Sequence, residues 1–94
     1  MKKIEFYKNN KKINIDKDKV IFDIANLVII KLELEYKIKL DFLNKIADFT
    51  LKKENITFPI EIKEMNYYNH TNKWIFNYEL DSEENVKNTI KIEL

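Results

Sequence analysis

A chain of 94 residues with one histidine, one serine and no cysteine, glycine or arginine offers little material for catalysis. It lacks a thiol nucleophile, a thiolate metal site, a Gly-rich phosphate loop and a nucleophile elbow. A net charge of +1 gives no strong nucleic-acid footprint, and the length suits one domain, residues 1–94, able to bury roughly 65% of its unfolded surface.

Lys, Asn and Ile number 17, 12 and 15, and together they fill 44 of the 94 positions. Their codons are A/T-rich, and the bias points to an A/T-rich genome such as that of a bacterium, a phage or a mobile element. The absence of cysteine fits a reducing compartment, and a cytoplasmic location, including a host cytoplasm, is expected. The most apolar window, VIFDIANLVII, is interrupted by Asp23 and Asn26 and is too short to span a bilayer, so no membrane association is expected. Charge is uneven along the chain: residues 1–19 hold seven Lys against three acids, and residues 54–94 hold four Lys against eight acids.

In chain order, Ile4 and Phe6 alternate with polar residues, as do Ile13 and Ile15, around the segment KNNK. A two-residue turn at Asn9-Asn10 sets Phe6 opposite Ile13 and Ile4 opposite Ile15, which places all four on one face of a hairpin. Asp16 or Asp18 then caps a helix near 17–29, with Ile21, Ile24, Ala25 and Val28 as its apolar stripe. The competing reading is a strand, because this segment is rich in β-branched residues. Residues 30–42 alternate continuously and predict a strand near 31–39, with its charged residues on the outer side. From Asp41 the period changes: Phe42, Leu43, Ile46, Ala47 and Leu51 predict a helix over 41–54, capped by Asp41.

Pro59 marks an extended or edge position. Trp74, Phe76, Tyr78 and Leu80 share one face of a strand, and a hairpin spans 57–80. Its upstream strand holds Ile60 and Ile62 out of phase with Met65 and Tyr67, which predicts a β-bulge near Lys63-Glu64. A loop at 69–72 then sets Tyr67 opposite Trp74. Asp81 and Glu84 have capping-box spacing and predict a short helix. Ile90, Ile92 and Leu94 make a closing strand, and no internal repeat is evident. The fold expected is α+β: a small single domain with an antiparallel-rich sheet, two hairpins plus additional strands, packed by about two helices.

His70 is a lone imidazole in a loop of Asn and Thr, better explained as a turn residue than as a ligand or catalytic base, and no cofactor or metal is expected. Glu79, Asp81, Glu83 and Glu84 supply oxygen ligands for a hard cation, but helix capping explains them more simply. The aromatics Trp74, Phe76 and Tyr78 share their face with Leu80, which favours core packing over a base-stacking platform. Elimination therefore leads to a non-enzymatic protein that binds a larger protein or ribonucleoprotein and covers its surface, as an anti-CRISPR-like viral inhibitor of a host defence complex does. The alternatives are a nucleic-acid-binding module using the N-terminal lysines, and a small structural or assembly subunit, including a homodimer. The partner-binding residues expected are Tyr68, His70, Asn72 and Lys73 at the hairpin tip, with Lys8, Lys11 and Lys12 as a basic edge.

Overall fold

The computed structural model describes residues 1–94 and contains nine antiparallel strands with no α-helix. The strands are β1 (Lys3–Lys8), β2 (Lys11–Ile13), β3 (Val20–Asp23), β4 (Val28–Leu32), β5 (Tyr36–Asp41), β6 (Ile46–Leu51), β7 (Ile56–His70), β8 (Lys73–Leu80) and β9 (Asn88–Glu93). They form one curled sheet, a half-barrel, in the order β2-β1-β9-β8-β7-β6-β5-β4-β3. The α+β expectation is thus corrected: helix is limited to one 3-10 turn, Lys17–Lys19, where Asp16 accepts the amide of Asp18 at 3.0 Å.

The same kind of turn replaces both expected helices, at the expected cap Asp41 of the second and at Asp23, inside the span expected of the first. An Asp side chain that accepts an amide three residues on caps a helix, but the same contact closes a tight turn. Asp23 Oδ1 accepts from the Asn26 amide at 3.3 Å and Asp41 Oδ1 from the Asn44 amide at 3.1 Å, while each Asn side chain donates back to the carboxylate at 2.9 and 2.8 Å. The next residue, Leu27 or Lys45, takes a positive φ of 49° or 56° and reverses the chain. The Asp-x-x-Asn turn thus recurs at 23 and 41, a short internal repeat that the alternating strands conceal. The capping-box segment after Asp81 is likewise a turn, ended by Asn85 at φ 57° rather than opening a helix. In the absence of glycine, the left-handed positions fall to Asn9, Asn10, Asn55 and Asn85, and at higher steric cost to Leu27, Lys45 and Thr71.

These turns carry a pH dependence. The Asn26 and Asn44 side-chain donors hold the Asp23 and Asp41 carboxyls below the usual carboxylate range. A carboxyl depressed in the folded state adds stability above its unfolded value, about 3.9, and that stability is lost as pH falls through the folded value. Melting temperature is therefore expected to be level above about pH 5 and to fall below about pH 4. An Asp23→Asn/Asp41→Asn variant, which keeps one acceptor oxygen for the Asn26 and Asn44 amides and loses the one that accepts their side chains, should be less stable at pH 7 and show a flatter acid limb in melts from pH 3 to 7.

The continuous strand expected at 31–39 is broken at Glu33–Glu35, where Leu34 is 87% exposed and the Glu33 amide donates to the Tyr36 carbonyl at 2.9 Å. The break changes face: Ile29 and Lys31 of β4 lie opposite Leu40 and Ile38 of β5, so Lys31 points inward. The first hairpin forms with the expected turn and Phe6 opposite Ile13, although β2 ends before Ile15.

β7 organises the molecule. Its first half, Ile56–Glu61, pairs with β6, whereas its second half pairs with β8 on the other side. The passage occurs at the expected bulge: Ile62 faces Leu80, Glu64 faces Glu79, and Lys63 has no opposite number. A bulge bends a strand and lets it pass from one half of a folded sheet to the other. The tip is a two-residue turn, Thr71-Asn72, so Tyr67 faces Phe76 instead of Trp74, a shift of two that preserves the buried face.

The bend folds the β3–β6 half over β8, β9 and β1. Phe42, in the β5–β6 turn, stacks on Phe76 at 4.5 Å and meets Tyr78 edge-on at 5.4 Å. Phe22 meets Trp74 and Phe76 edge-on at 5.6 and 5.7 Å. Ile29, Leu40, Ala47, Ile62, Ile90 and Ile92 belong to the same core, with Ile4, Phe6, Val20, Leu27 and Leu80 around them. The curl is not closed, because β2 and β3 share no ladder. The accessible surface of 6418 Å² exceeds the roughly 5800 Å² usual for a monomer of 11.5 kDa, as an open form requires.

Candidate protein-binding edge and inter-sheet cleft

The hydrogen bonds at the strand ends fix which groups β7 leaves free. The Leu94 amide donates to the Asn72 carbonyl at 2.8 Å, which puts the even-numbered residues of β8 in bonded pairs with β9. The odd-numbered residues of β8 then bond β7, at His70, Tyr68 and Asn66. Met65, Tyr67 and Asn69 consequently turn their N–H and C=O groups to the opposite side, where β6 has already ended at its Ile46–Glu61 pair. All of these residues except Met65, which is half-buried, are exposed. Tyr67 is 44% exposed on the inner face and Tyr68 is 61% exposed on the outer face.

This edge differs from every other in the fold. β2 is three residues long and carries Lys11 and Lys12, and β3 is four residues long and ends in Asp23. The other open side of β7, along Ile56–Ile60, is blunted by Pro59. The Ile62 amide donates to the Lys45 carbonyl at 2.9 Å, and this pairing turns the Pro59 nitrogen away from β6, toward the open side. Short length, charge and proline are the usual protections of a sheet edge. Met65-Asn66-Tyr67-Tyr68-Asn69-His70 has none of them.

Of the expected partner-binding residues, Tyr68, His70 and Lys73 do lie together at the β7–β8 tip. Asn72 is occupied elsewhere: its side chain donates to the Leu94 carbonyl at 2.9 Å and holds the segment after β9. Lys8, Lys11 and Lys12 sit at the opposite end of the sheet, since Lys73, Glu93 and Lys3 share one row and Tyr78, Asn88 and Lys8 another, five residues along. Lys8 pairs with Glu83 at 2.5 Å and Lys12 with Glu5 at 3.2 Å, which leaves Lys11 as the one lysine of the three without an acidic partner. A hydrogen bond from Tyr7, followed by Lys12, holds the Glu5 carboxyl below the usual range, and the same bond raises the Tyr7 phenol.

The second feature is a cleft of about 370 Å³ where the two halves of the sheet splay apart. Its walls include Ile38, Leu40, Phe49, Ile60 and Leu80, and the Tyr36 and Phe49 rings stack at 5.0 Å. Lys31 lies inside with its ammonium 3.4 Å from Glu33 and 5.7 Å from the centre of the Phe6 ring. Burial, with Glu83 nearby, pushes the Tyr78 phenol above its ordinary range. Asn88, Lys31 and the open side of β7 carry no signal in the sequence. Each depends on partners remote in the chain.

No group of three or more His, Cys, Asp or Glu side chains gathers where a metal ion could be held. The Asp81 carboxylate lies 3.9 Å from Lys63, and Glu83 is paired with Lys8. No helix is long and apolar enough to cross a membrane. Comparison with family models, with curated proteins and with solved structures found no match for the chain.

Proposed function

We propose that the protein is a non-enzymatic binding protein that captures an extended segment of a partner protein by adding it as a strand beside Met65–His70 of β7. The observation that carries this reading is the unprotected edge itself: an uncharged run of six residues with free backbone groups at alternate positions and tyrosines on both faces. Backbone hydrogen bonds then supply affinity, and contacts at Tyr67 and Tyr68 supply selectivity. Tyrosine is a favoured anchor because it buries a large rigid area at little entropic cost. A strand bound here holds the whole domain against the partner and covers its surface, in keeping with action by occlusion. A specific interface needs about 800 Å² on each side, so surface beside the six-residue edge takes part as well. The lysine-based nucleic-acid reading has less to rest on, since Lys8 and Lys12 are engaged with acids of the same chain.

Proline scanning of the edge separates binding from folding. At Asn69 the amide faces outward, so Asn69→Pro removes a donor offered to the partner and leaves the β7–β8 ladder intact. Capture of the partner from a nuclease-treated extract, read by mass spectrometry, should fall at least about tenfold, equivalent to 1.4 kcal/mol. The Asn69 side chain also bonds the Thr71 and Lys73 carbonyls, at 3.3 and 3.2 Å. Asn69→Ala removes those contacts but keeps the amide, and it should retain capture. Equal capture by wild type and a folded Asn69→Pro variant would exclude strand addition at this edge.

A further inference from the structure

Two buried side-chain atoms in the molecule lack a hydrogen-bond partner, Oε1 of Glu83 and Nδ2 of Asn88, and both residues line the inter-sheet cleft. Asn88 is 4% exposed and lies on the inner face of β9, opposite Tyr78. Buried polar groups are normally satisfied, because one left unpaired bears its full desolvation cost. Here the unpaired donor and the unpaired acceptor both belong to residues lining the inter-sheet cleft of about 370 Å³, which has room for a further molecule.

We propose that this cleft binds a small neutral molecule with an apolar body and a head of the primary-amide type, which both donates and accepts. The Asn88 amide donates to the carbonyl of the head, and Glu83 Oε1 accepts its N–H. Charge argues for neutrality: the other Glu83 oxygen is held by Lys8 at 2.5 Å, and the Lys31 ammonium is held by Glu33 at 3.4 Å. Each ion inside or beside the cleft is already compensated, so an anionic or cationic head would enter the apolar space without a free counter-charge. The walls of Ile38, Leu40, Ile60 and Leu80, with the stacked Tyr36 and Phe49 rings, receive the body. The volume lies at the lower end of the range for ligand pockets. This site is independent of the β7 edge, and either can hold without the other.

The test compares three probes with a common ring, namely cyclohexanecarboxamide, cyclohexanecarboxylate and cyclohexylmethylammonium, titrated into isotopically labelled full-length protein and followed by NMR. The carboxamide is expected to give saturable shifts of the Asn88 side-chain amide and of the Ile60 and Leu80 methyls, with the two charged probes at least tenfold weaker. Nuclear Overhauser contacts should join the bound carboxamide to the Asn88 side-chain protons in the wild-type protein, a readout that requires no variant. Ile60→Trp, which fills the cleft from a half-buried position, should abolish the shifts while the remaining spectrum stays folded. Equal binding of all three probes, contacts elsewhere than at Asn88, or no saturable shift by about 10 mM would overturn the proposal.

Discussion

Phe76→Ala is expected to destabilise the protein by about 3 to 5 kcal/mol, read from urea unfolding. Phe76 has no exposed surface and touches Phe22 and Phe42 from the opposite half of the sheet, with Tyr67 and Trp74 beside it. Truncation removes the transfer free energy of the ring and leaves a cavity that two opposed sheet faces cannot readily close. For a domain at the low end of the usual range of about 5 to 15 kcal/mol, such a loss brings unfolding close to ambient temperature. Phe42→Ala should cost a similar amount. The double variant should lose less than the sum of the two, because both substitutions break the same stack, with a coupling of about 0.5 to 3 kcal/mol. A Phe76→Ala variant within about 1 kcal/mol of wild type would mean that the halves are not held together through this ring.

Deletion of Lys63 is expected to do comparable harm although the side chain is exposed. Lys63→Ala should be nearly neutral, since its contact with Asp81 is a long surface pair of the kind worth at most about 1 kcal/mol. Removing the residue is different. Ile62, Glu64 and Met65 would then alternate regularly, every side chain would keep its face, and the two-against-one bulge would vanish. A regular strand lacks the local bend by which β7 passes from β6 to β8. The halves would no longer meet across Phe42 and Phe76, a loss of more than about 3 kcal/mol. Near-UV circular dichroism should lose its aromatic signal and the thermal transition should broaden, while the far-UV β signal persists. Wild-type melting of the deletion variant would show that the curl does not depend on the bulge.

The strands β1, β8 and β9 were legible because each carries an uninterrupted alternation, Ile4/Phe6, Trp74 through Leu80 and Ile90/Ile92, that fits only a half-buried strand. The bulge was legible from a phase conflict within one strand. The helices were not, because Asp41 makes in a turn the hydrogen bond expected of a cap, and Asp23, inside the span of the first expected helix, makes it too. The signal that ends the helix reading, a left-handed residue after Asn26 and Asn44, falls on Leu27 and Lys45, side chains that do not announce it. Asn55 and Asn85 could have been read as such stops. Lys31 was misplaced because the short turn at Glu33–Glu35 falls inside a run whose alternation never slips.

The position of Tyr68, His70 and Lys73 near a hairpin tip was legible from turn chemistry. The open edge beside them requires knowing that β6 and β8 lie on opposite sides of β7, which is tertiary information. The cleft needs it even more, since Asn88 and Glu83 become an unpaired donor and acceptor only once the sheet has curled over them.

Amide hydrogen exchange along β7 tests the open edge most directly. In the free protein the amides of Asn66, Tyr68 and His70, bonded to β8, are expected to be protected, and those of Met65, Tyr67 and Asn69 to exchange fast. On addition of a captured partner, the three fast amides should become protected while the other three change little. Uniform protection of Met65–His70 in the free monomer, or fast Met65, Tyr67 and Asn69 amides that stay fast in the complex, would contradict strand addition at this edge.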